Sequence, residues 1–468
     1  MVTGKPQRRA QVRALREAVR GLIQAGVLAH WRNTGVTSVA ADVAHRVDGI
    51  DHIGPSGRRY EQREQQGQRA LACRPQVSHC SLMASPDSEQ FTTTTGWPWR
   101  TGNSFELLDG GGAFFPAMLA AIDAARESVL LEMYLVESGH IVTRFIASLG
   151  AAVRRGARVC VVFDAFGSLG LSRADRRRLI EAGVELRFFN PLELRKRLGN
   201  LLRDHRKLLV TDGCSAFVGG TGLTDDFAPG AVHGPWLEVM VRIEGPVVAD
   251  WQRAFARTWR RGGPALDLPP PSPLPPRAGA TGRLSLSEAR QRSVLANGVL
   301  RRIDSSTQRA WIMSAYFVPA RRVRAALGRA ARRGVDVCLL LPGARTDHPW
   351  VRQASRRFYA RMLRGGVRIY EYQPHMLHGK VILCDDWVSI GSSNLDRWSL
   401  RWNLEANQEV ADTGFADTVA ALFDRDFAVS SRISRRYWGQ RARIDRLRET
   451  IAGAIDRYLD RWRRPRRP

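Results

Sequence analysis

No stretch of the chain approaches the ~18 consecutive apolar residues that a membrane-spanning helix requires. Its amino-terminal stretch has basic residues but no continuous apolar core or cleavage site, so no signal peptide is read. Cysteine is scarce. Six among 468 residues exclude a disulfide-built scaffold, and Cys160, Cys214, Cys338 and Cys384, in or beside apolar runs, read as ordinary buried thiols. Cys73 and Cys80, with His79 beside the second, are too loosely placed for a zinc site. Acidic residues are also in deficit, 45 against 72 Lys and Arg, which leaves a formal charge of +27. Such a chain suits a polyanionic partner, either nucleic acid or an anionic membrane surface, and charge alone does not choose between them.

What the chain does contain is a motif and its copy. In "LHGKVILCDDWVSIGSSNLD", Leu377 to Asp396, the short apolar run from Val381 to Cys384 ends at an Asp-Asp turn and reads as a buried strand. Side chains alternate on a strand, so His378 and Lys380 share one face. An imidazole beside an ammonium suits an anion, phosphate above all, whose charge must be held while a bond forms. Upstream, "DHRKLLVTDGCSAFVGGTGLTDDF" sets His205, Lys207 and Asp212 at the spacing of His378, Lys380 and Asp385. One H-x-K arises easily by chance; two with matching flanks do not.

The flanks extend the duplication. "AAVRRGARVCVVFD" matches "RAARRGVDVCLLLP", "EAGVELRFFNP" matches "RGGVRIYEYQP", and "SVLLEMYLV" matches "AWIMSAYFV". Each half reads strand, helix, strand, helix, strand and then the motif hairpin, which predicts a duplicated α/β unit.

The paired H-x-K-x4-D motifs, followed by "GGTG" and "GSSN", resemble the phospholipase D superfamily. The run "GSSNLDRWSLRWNLEANQEV", with "ELLDGGGAFFPAMLAAIDAARESVLLEMY" and "VRIEGPVVADW", resembles its bacterial cardiolipin synthase branch, over Asn103 to Asp426. The resemblance implies two pseudo-symmetric phospholipase D-type domains, each a mixed sheet flanked by helices, with both motifs lining one pocket. It implies a catalytic set of His205, Lys207, Asp212, His378, Lys380 and Asp385. One histidine attacks phosphorus and the other protonates the leaving alcohol, a covalent route that splits one displacement into two. By analogy the attacking residue is often the first-motif histidine, His205. Lys207 and Lys380 hold the phosphate oxygens, so no metal or other cofactor is expected. Ser392 and Asn394 add neutral hydrogen bonds, Glu238 and Glu405 orient the histidines, and Asp212 and Asp385, at hairpin turns, read as mainly structural. The first motif departs from the pattern at Gly222, where an asparagine is expected, so a hydrogen bond is missing there.

The implied activity is a transphosphatidylation that moves a phosphatidyl group between phosphatidylglycerol molecules and releases glycerol. A phospholipase D hydrolase, a nuclease of the same superfamily and a non-enzymatic lipid-binding scaffold stay open. The expected partners are anionic phospholipid and a membrane surface, with no nucleic acid, and the expected place is peripheral, on the cytoplasmic side of the cell membrane.

Residues 1–98 read as a polar, arginine- and glutamine-rich extension, largely disordered apart from a helix over Val12 to Val27, and Met83 is expected to be the true start. The first domain is expected over 99–261 and the second over 283–430. Between them, 262–282 reads as a stiff proline-rich linker unable to join either sheet. In 431–468, Ile444, Leu447, Ile451, Ile455, Tyr458, Leu459 and Trp462 form one stripe of an arginine-rich helix, either a membrane-surface anchor or a helix docked on the body. Trp398 and Trp402 read as core residues or as the lining of a lipid-facing mouth.

Overall fold

The computed structural model describes residues 97–267, 279–287, 294–396, 403–442, 445–446, 449–452 and 454. The expectations for residues 1–96, for Trp398 and Trp402, and for the terminal stripe apart from Ile451 lie outside this set. Ile451 is exposed.

The first half runs β1 (Arg100–Asp109), α1 (Gly111–Ala124), β2 (Ser128–Met133), α2 (His140–Arg154), β3 (Arg158–Asp164), α3 (Arg173–Glu181), β4 (Glu185–Phe189), β5 (Arg203–Asp204), β6 (Leu208–Thr211), β7 (Ser215–Gly219), β8 (Val239–Glu244) and α4 (Val248–Arg260). The second runs β9 (Ala280–Ser287), α5 (Val294–Ser305), β10 (Arg309–Ser314), α6 (Arg321–Arg332), β11 (Asp336–Pro342), α7 (Pro349–Arg356), α8 (Tyr359–Arg364), β12 (Arg368–Tyr372), β13 (Lys380–Cys384), β14 (Trp387–Gly391), β15 (Asn403–Ala411), α9 (Thr413–Ala428), β16 (Ser430–Arg432) and α10 (Arg435–Gln440).

All these strands join one mixed sheet, in the order β16-β12-β11-β10-β13-β14-β15-β9-β1-β8-β7-β6-β2-β3-β4, with β5 added on β15. Outward from the β9–β1 seam the two halves mirror each other strand for strand, except that β16 at the outer edge of the second half has no counterpart in the first. In each, three parallel strands lie beyond an antiparallel motif hairpin. The innermost strands are buried along their whole length, as in the run Ser128–Met133, which is why they read as unbroken apolar stretches rather than alternating ones.

The halves also share a core. Trp251, Phe255 and Trp259, one helical face of α4, belong to the same buried cluster as Phe415, Val419 and Phe423 of α9. Trp251 Nε1 donates across the seam to Gln408 Oε1 at 2.8 Å. Separate cores form under α1 and α2 in the first half, around Phe114, Met118 and Phe145, and under α5 and α6 in the second, around Ile303, Val323 and Leu327.

Three expectations need correcting. Strand β9 begins at Ala280, inside the stretch read as linker, and pairs with β1 through Asn103↔Ala280 and Arg100↔Gly282. The prolines precede it, so nothing in "AGATG" prevents pairing. Cys214 is exposed, because it sits in the turn of the first hairpin rather than in a strand; Cys160, Cys338 and Cys384 are buried. The match of "SVLLEMYLV" to "AWIMSAYFV" is one residue out of register within the strand. Val129 faces Thr211 and Ala310 faces Cys384, the residues just before the two motif aspartates.

Candidate active site

Sheet order brings both motifs to one edge of the sheet. His205 and Lys207 lead into β6, His378 and Lys380 into β13, and these strands run antiparallel to β2 and β10. All four side chains therefore lie at the carboxyl ends of the parallel strands. A short cross-seam pairing then fixes each motif. Strand β5 lies parallel on β15 through Arg203↔Asn403 and Asp204↔Leu404, and the His205 amide donates to Leu404 O at 3.0 Å. In the other half a single parallel bridge, Leu237↔Leu377, does the same work, with the His378 amide donating to Leu237 O at 2.8 Å.

This register sets each histidine beside a glutamate of the opposite half. His205 Nδ1 lies 3.0 Å from Glu405 Oε2, and His378 Nδ1 lies 2.6 Å from Glu238 Oε2. Both glutamates are fully buried; His205 is the more open ring, with its side chain 12% exposed. With Nδ1 committed to a carboxylate, Nε2 is the nitrogen left for chemistry on both rings.

Both lysines are buried as well. Lys207 Nζ donates to His205 O at 2.6 Å and stands over the Tyr134 ring. Lys380 Nζ lies 3.4 Å from Glu238 Oε2 and 3.2 Å from His378 Nε2. Burial, with the Lys380 charge added to it, pulls the Lys207 ammonium down to about 7. Burial likewise brings the His378 imidazolium down to about 4 and holds that of His205 well below its ordinary value, the neighbouring lysines adding in each case. Both rings are neutral at physiological pH, the state a nitrogen nucleophile needs.

The two dyads differ in protonation. Burial alone would raise the Glu238 carboxyl, but the Lys380 ammonium and the His378 hydrogen bond hold it below its usual range. Burial wins at Glu405 and pushes its carboxyl up to about 8, against the opposing charge of Lys207. Ser392 and Asn403 donate to Glu405 at 2.5 and 3.1 Å. At the position matching Ser392, Gly220 leaves no room for a side chain, since a Cβ there would fall 2.3 Å from Glu238 Oε2.

The remaining expected residues fall into place unevenly. Ser392 faces Glu405 and not an open site, so it steadies a carboxylate rather than offering a donor to phosphate. Asn394 accepts from the Tyr316 amide at 3.2 Å, and among the described residues its buried Nδ2 meets no partner. Asp212 and Asp385, included in the catalytic set, lie away from the histidines. Seven positions of extended chain separate each from its histidine, on the order of 20 Å. Asp212 accepts the amides of Arg126, Glu127 and Ser128, and Asp385 those of Thr307, Gln308 and Arg309. Each ties its hairpin to the start of the neighbouring strand, a structural task. At Gly222 the missing asparagine has a steric cause: a Cβ there would lie 2.9 Å from both Leu135 O and Leu135 Cβ.

Several site features were not singled out from the sequence. Tyr134 packs edge-on to His205 with ring centroids 4.7 Å apart, while Trp236 and Phe227 both lie 5.4 Å from His378 and Tyr316 6.4 Å. The tyrosines were visible as the shared Tyr of the aligned strands. On the opposite face of the first motif, Asp204, Arg206 and Glu132 form a buried charged group, and burial, with Glu132 beside it, holds the Asp204 carboxyl well above its usual value. The second motif has Leu377, Gly379 and Met313 in those places.

A family profile described as "Cardiolipin synthase, PLD-like domain" matches residues 118–259 and 299–427. Cardiolipin synthase A of Pseudomonas putida (strain W619) is 35% identical over 404 residues, 84% of this chain and 81% of that one. Cardiolipin synthase A of Pseudomonas aeruginosa (strain LESB58) is 35% identical over 370 residues, 78% of this chain and 74% of that one. Among solved structures, phosphatidylserine synthase of Haemophilus influenzae Rd KW20 superposes with a TM-score of 0.60 at 11% identity, over 78% of this chain and 95% of that one. This last likeness concerns the fold alone.

Proposed function

The chain belongs to the cardiolipin synthase family with phospholipase D-like domains, and from that membership we propose that it is a phosphatidyltransferase that condenses two phosphatidylglycerol molecules to cardiolipin and glycerol. The observation that carries the reading is the crossed pair of His-Glu contacts, which puts two imidazoles and two lysine amines at one buried edge.

In the first step Nε2 of one histidine attacks the phosphorus of phosphatidylglycerol. The second histidine takes up a proton on Nε2 from solvent as the phosphate anion binds; the bond to the glycerol oxygen then breaks, and this imidazolium gives the oxygen that proton. In the second step the hydroxyl of another phosphatidylglycerol attacks the phosphohistidine and returns its proton to the second histidine. One phosphodiester replaces another, so no nucleotide is consumed. Lys207, Lys380 and Asn394 Nδ2 hold the non-bridging oxygens as charge builds on them, a role supported by the burial of both lysines at this edge. Family precedent makes His205 the attacking residue. The protein works on the bilayer surface, peripherally and from the cytoplasmic side; among the described residues no helix is long and apolar enough to cross a membrane.

Incubating the full chain with phosphatidylglycerol vesicles tests this reading. Cardiolipin and glycerol should form in equal amounts and vanish in both His205→Ala and His378→Ala. Phosphatidic acid as the sole lipid product would make the protein a hydrolase, and the absence of any lipid product would overturn the assignment.

A further inference from the structure

Because β6 and β13 run against the parallel strands, the loops that leave β3, β4, β11 and β12 emerge at the edge that carries both histidines. Nine large apolar side chains are exposed among the described residues, and six of them sit at this edge. Phe166 and Leu169 follow β3, Leu192 follows β4, and Val232 lies in the segment leading to β8. Trp350 follows β11, and Val429 precedes β16 beside the end of β12. Val232 is 94% exposed, Trp350 58% and Leu192 51%. Of the other three, Ile180, at the far end of α3, and Tyr437, in α10, lie away from this edge, and Ile451 belongs to the segment after α10.

Scattered exposed apolar residues need no explanation, but six on five segments around one catalytic edge do. Packing does not account for them, since all six side chains are exposed. The same edge carries Arg173 at the start of α3 and Arg321 and Arg322 at the start of α6, all exposed. A positive charge at a helix amino terminus opposes the helix dipole, so stability does not account for these arginines either. Apolar tips interleaved with arginine are what an interface of acyl chains and anionic headgroups binds.

We propose that this edge is the membrane-docking face: Phe166, Leu169, Leu192, Val232, Trp350 and Val429 enter the boundary between headgroups and acyl chains, and Arg173, Arg321 and Arg322 meet anionic headgroups. This rests on the reading that the substrate is a bilayer lipid. Docked this way, the site opens onto the headgroup layer, and a phosphodiester reaches the histidines without its lipid leaving the membrane.

The test compares the full chain with a Phe166→Glu/Trp350→Glu double variant and with Tyr437→Glu as a control outside the face. Partition onto vesicles of phosphatidylglycerol and phosphatidylcholine is measured by sedimentation. Turnover is measured on the same vesicles and on short-chain phosphatidylglycerol kept monomeric. The double variant should bind vesicles at least tenfold more weakly and lose vesicle turnover in proportion. Its turnover of the monomeric lipid should stay within twofold of wild type, and Tyr437→Glu should change nothing. Unchanged partition of the double variant would overturn the docking face and assign membrane binding to other segments. Loss of partition equal to that of Tyr437→Glu would overturn it too. A wild type that turns over neither lipid would sink the proposed reaction, and the partition comparison would still decide the docking face.

Discussion

Glu238 and His378 stand 140 residues apart in the chain, yet the carboxylate lies 2.6 Å from the imidazole Nδ1. Its counterpart, Glu405 with His205, spans 200 residues in the opposite sense. Neither half contains a complete dyad. The register that makes this so is short, two paired residues on one side and a single bridge on the other.

The crossed arrangement predicts which substitution disturbs which ring. In Glu238→Gln the downfield Nδ1 proton resonance of His378 should disappear, while that of His205 persists. Turnover should fall on the order of ten-thousandfold, as when an orienting carboxylate of a histidine is neutralised. An effect on the His205 resonance instead would show that each glutamate serves its own half.

The motif aspartates should behave as structural residues. Asp385→Ala strands the amides of Thr307, Gln308 and Arg309 and leaves an alanine at φ 50°, a left-handed conformation that aspartate tolerates better. Lost amide partners cost roughly 1–3 kcal/mol. The melting temperature should drop by several degrees, while turnover measured well below it stays within about fivefold of wild type. A thousandfold loss of turnover at unchanged melting temperature would return Asp385 to the catalytic set.

The raised carboxyl of Glu405 gives a dependence on pH with a definite sign. In the unfolded chain this group ionises near 4.5, and in the fold at about 8. Between those values the folded state keeps a proton that the unfolded state has lost, so stability falls as pH rises across the window. His378 acts oppositely: neutral in the fold down to about 4, it adds stability as pH climbs toward 6.5. Glu405→Gln keeps the shape and removes the group, so thermal melts of the variant should show a shallower decline, with the contribution of the raised Asp204 carboxyl remaining, and keep the rise. The variant should also retain more activity than Glu238→Gln, because an amide mimics a protonated carboxyl better than an ionised one. Parallel melting curves for wild type and variant from pH 5 to 8 would mean that Glu405 is ionised in the fold.

The α/β architecture and the strand carrying each motif were legible because they depend on local periodicity and on a repeat that survives in the sequence. The crossing of the dyads was not, since nothing near Glu405 says that β15 will meet Arg203–Asp204 and not its own hairpin. Gly222 looked like a lost hydrogen bond. Its cause, the close approach of Leu135, lies 87 positions away in the sequence and is invisible to a motif. The charged group behind His205 was within reach, because "DHRK" differs from "LHGK" at both positions flanking the histidine. A further signal went unused. The chain holds 72 basic residues, of which only Lys5, Lys196, Lys207 and Lys380 are lysine, and two of those four sit in the motifs. A compact ammonium that burial can bring to about 7 does what a guanidinium, protonated at any accessible pH, does not.

The pairing of β5 with β15 also sets a clock. A ribosome adds about 5–20 residues per second, so a nascent His205 waits on the order of ten seconds or more for Glu405, 200 residues behind it, to be made. Until then His205 is without its carboxylate, and until His378 is made, shortly before Glu405, Glu238 is without its histidine. The two dyads are therefore completed late in synthesis, that of His378 first and that of His205 last, and a chain broken off before Glu405 holds at most one of them.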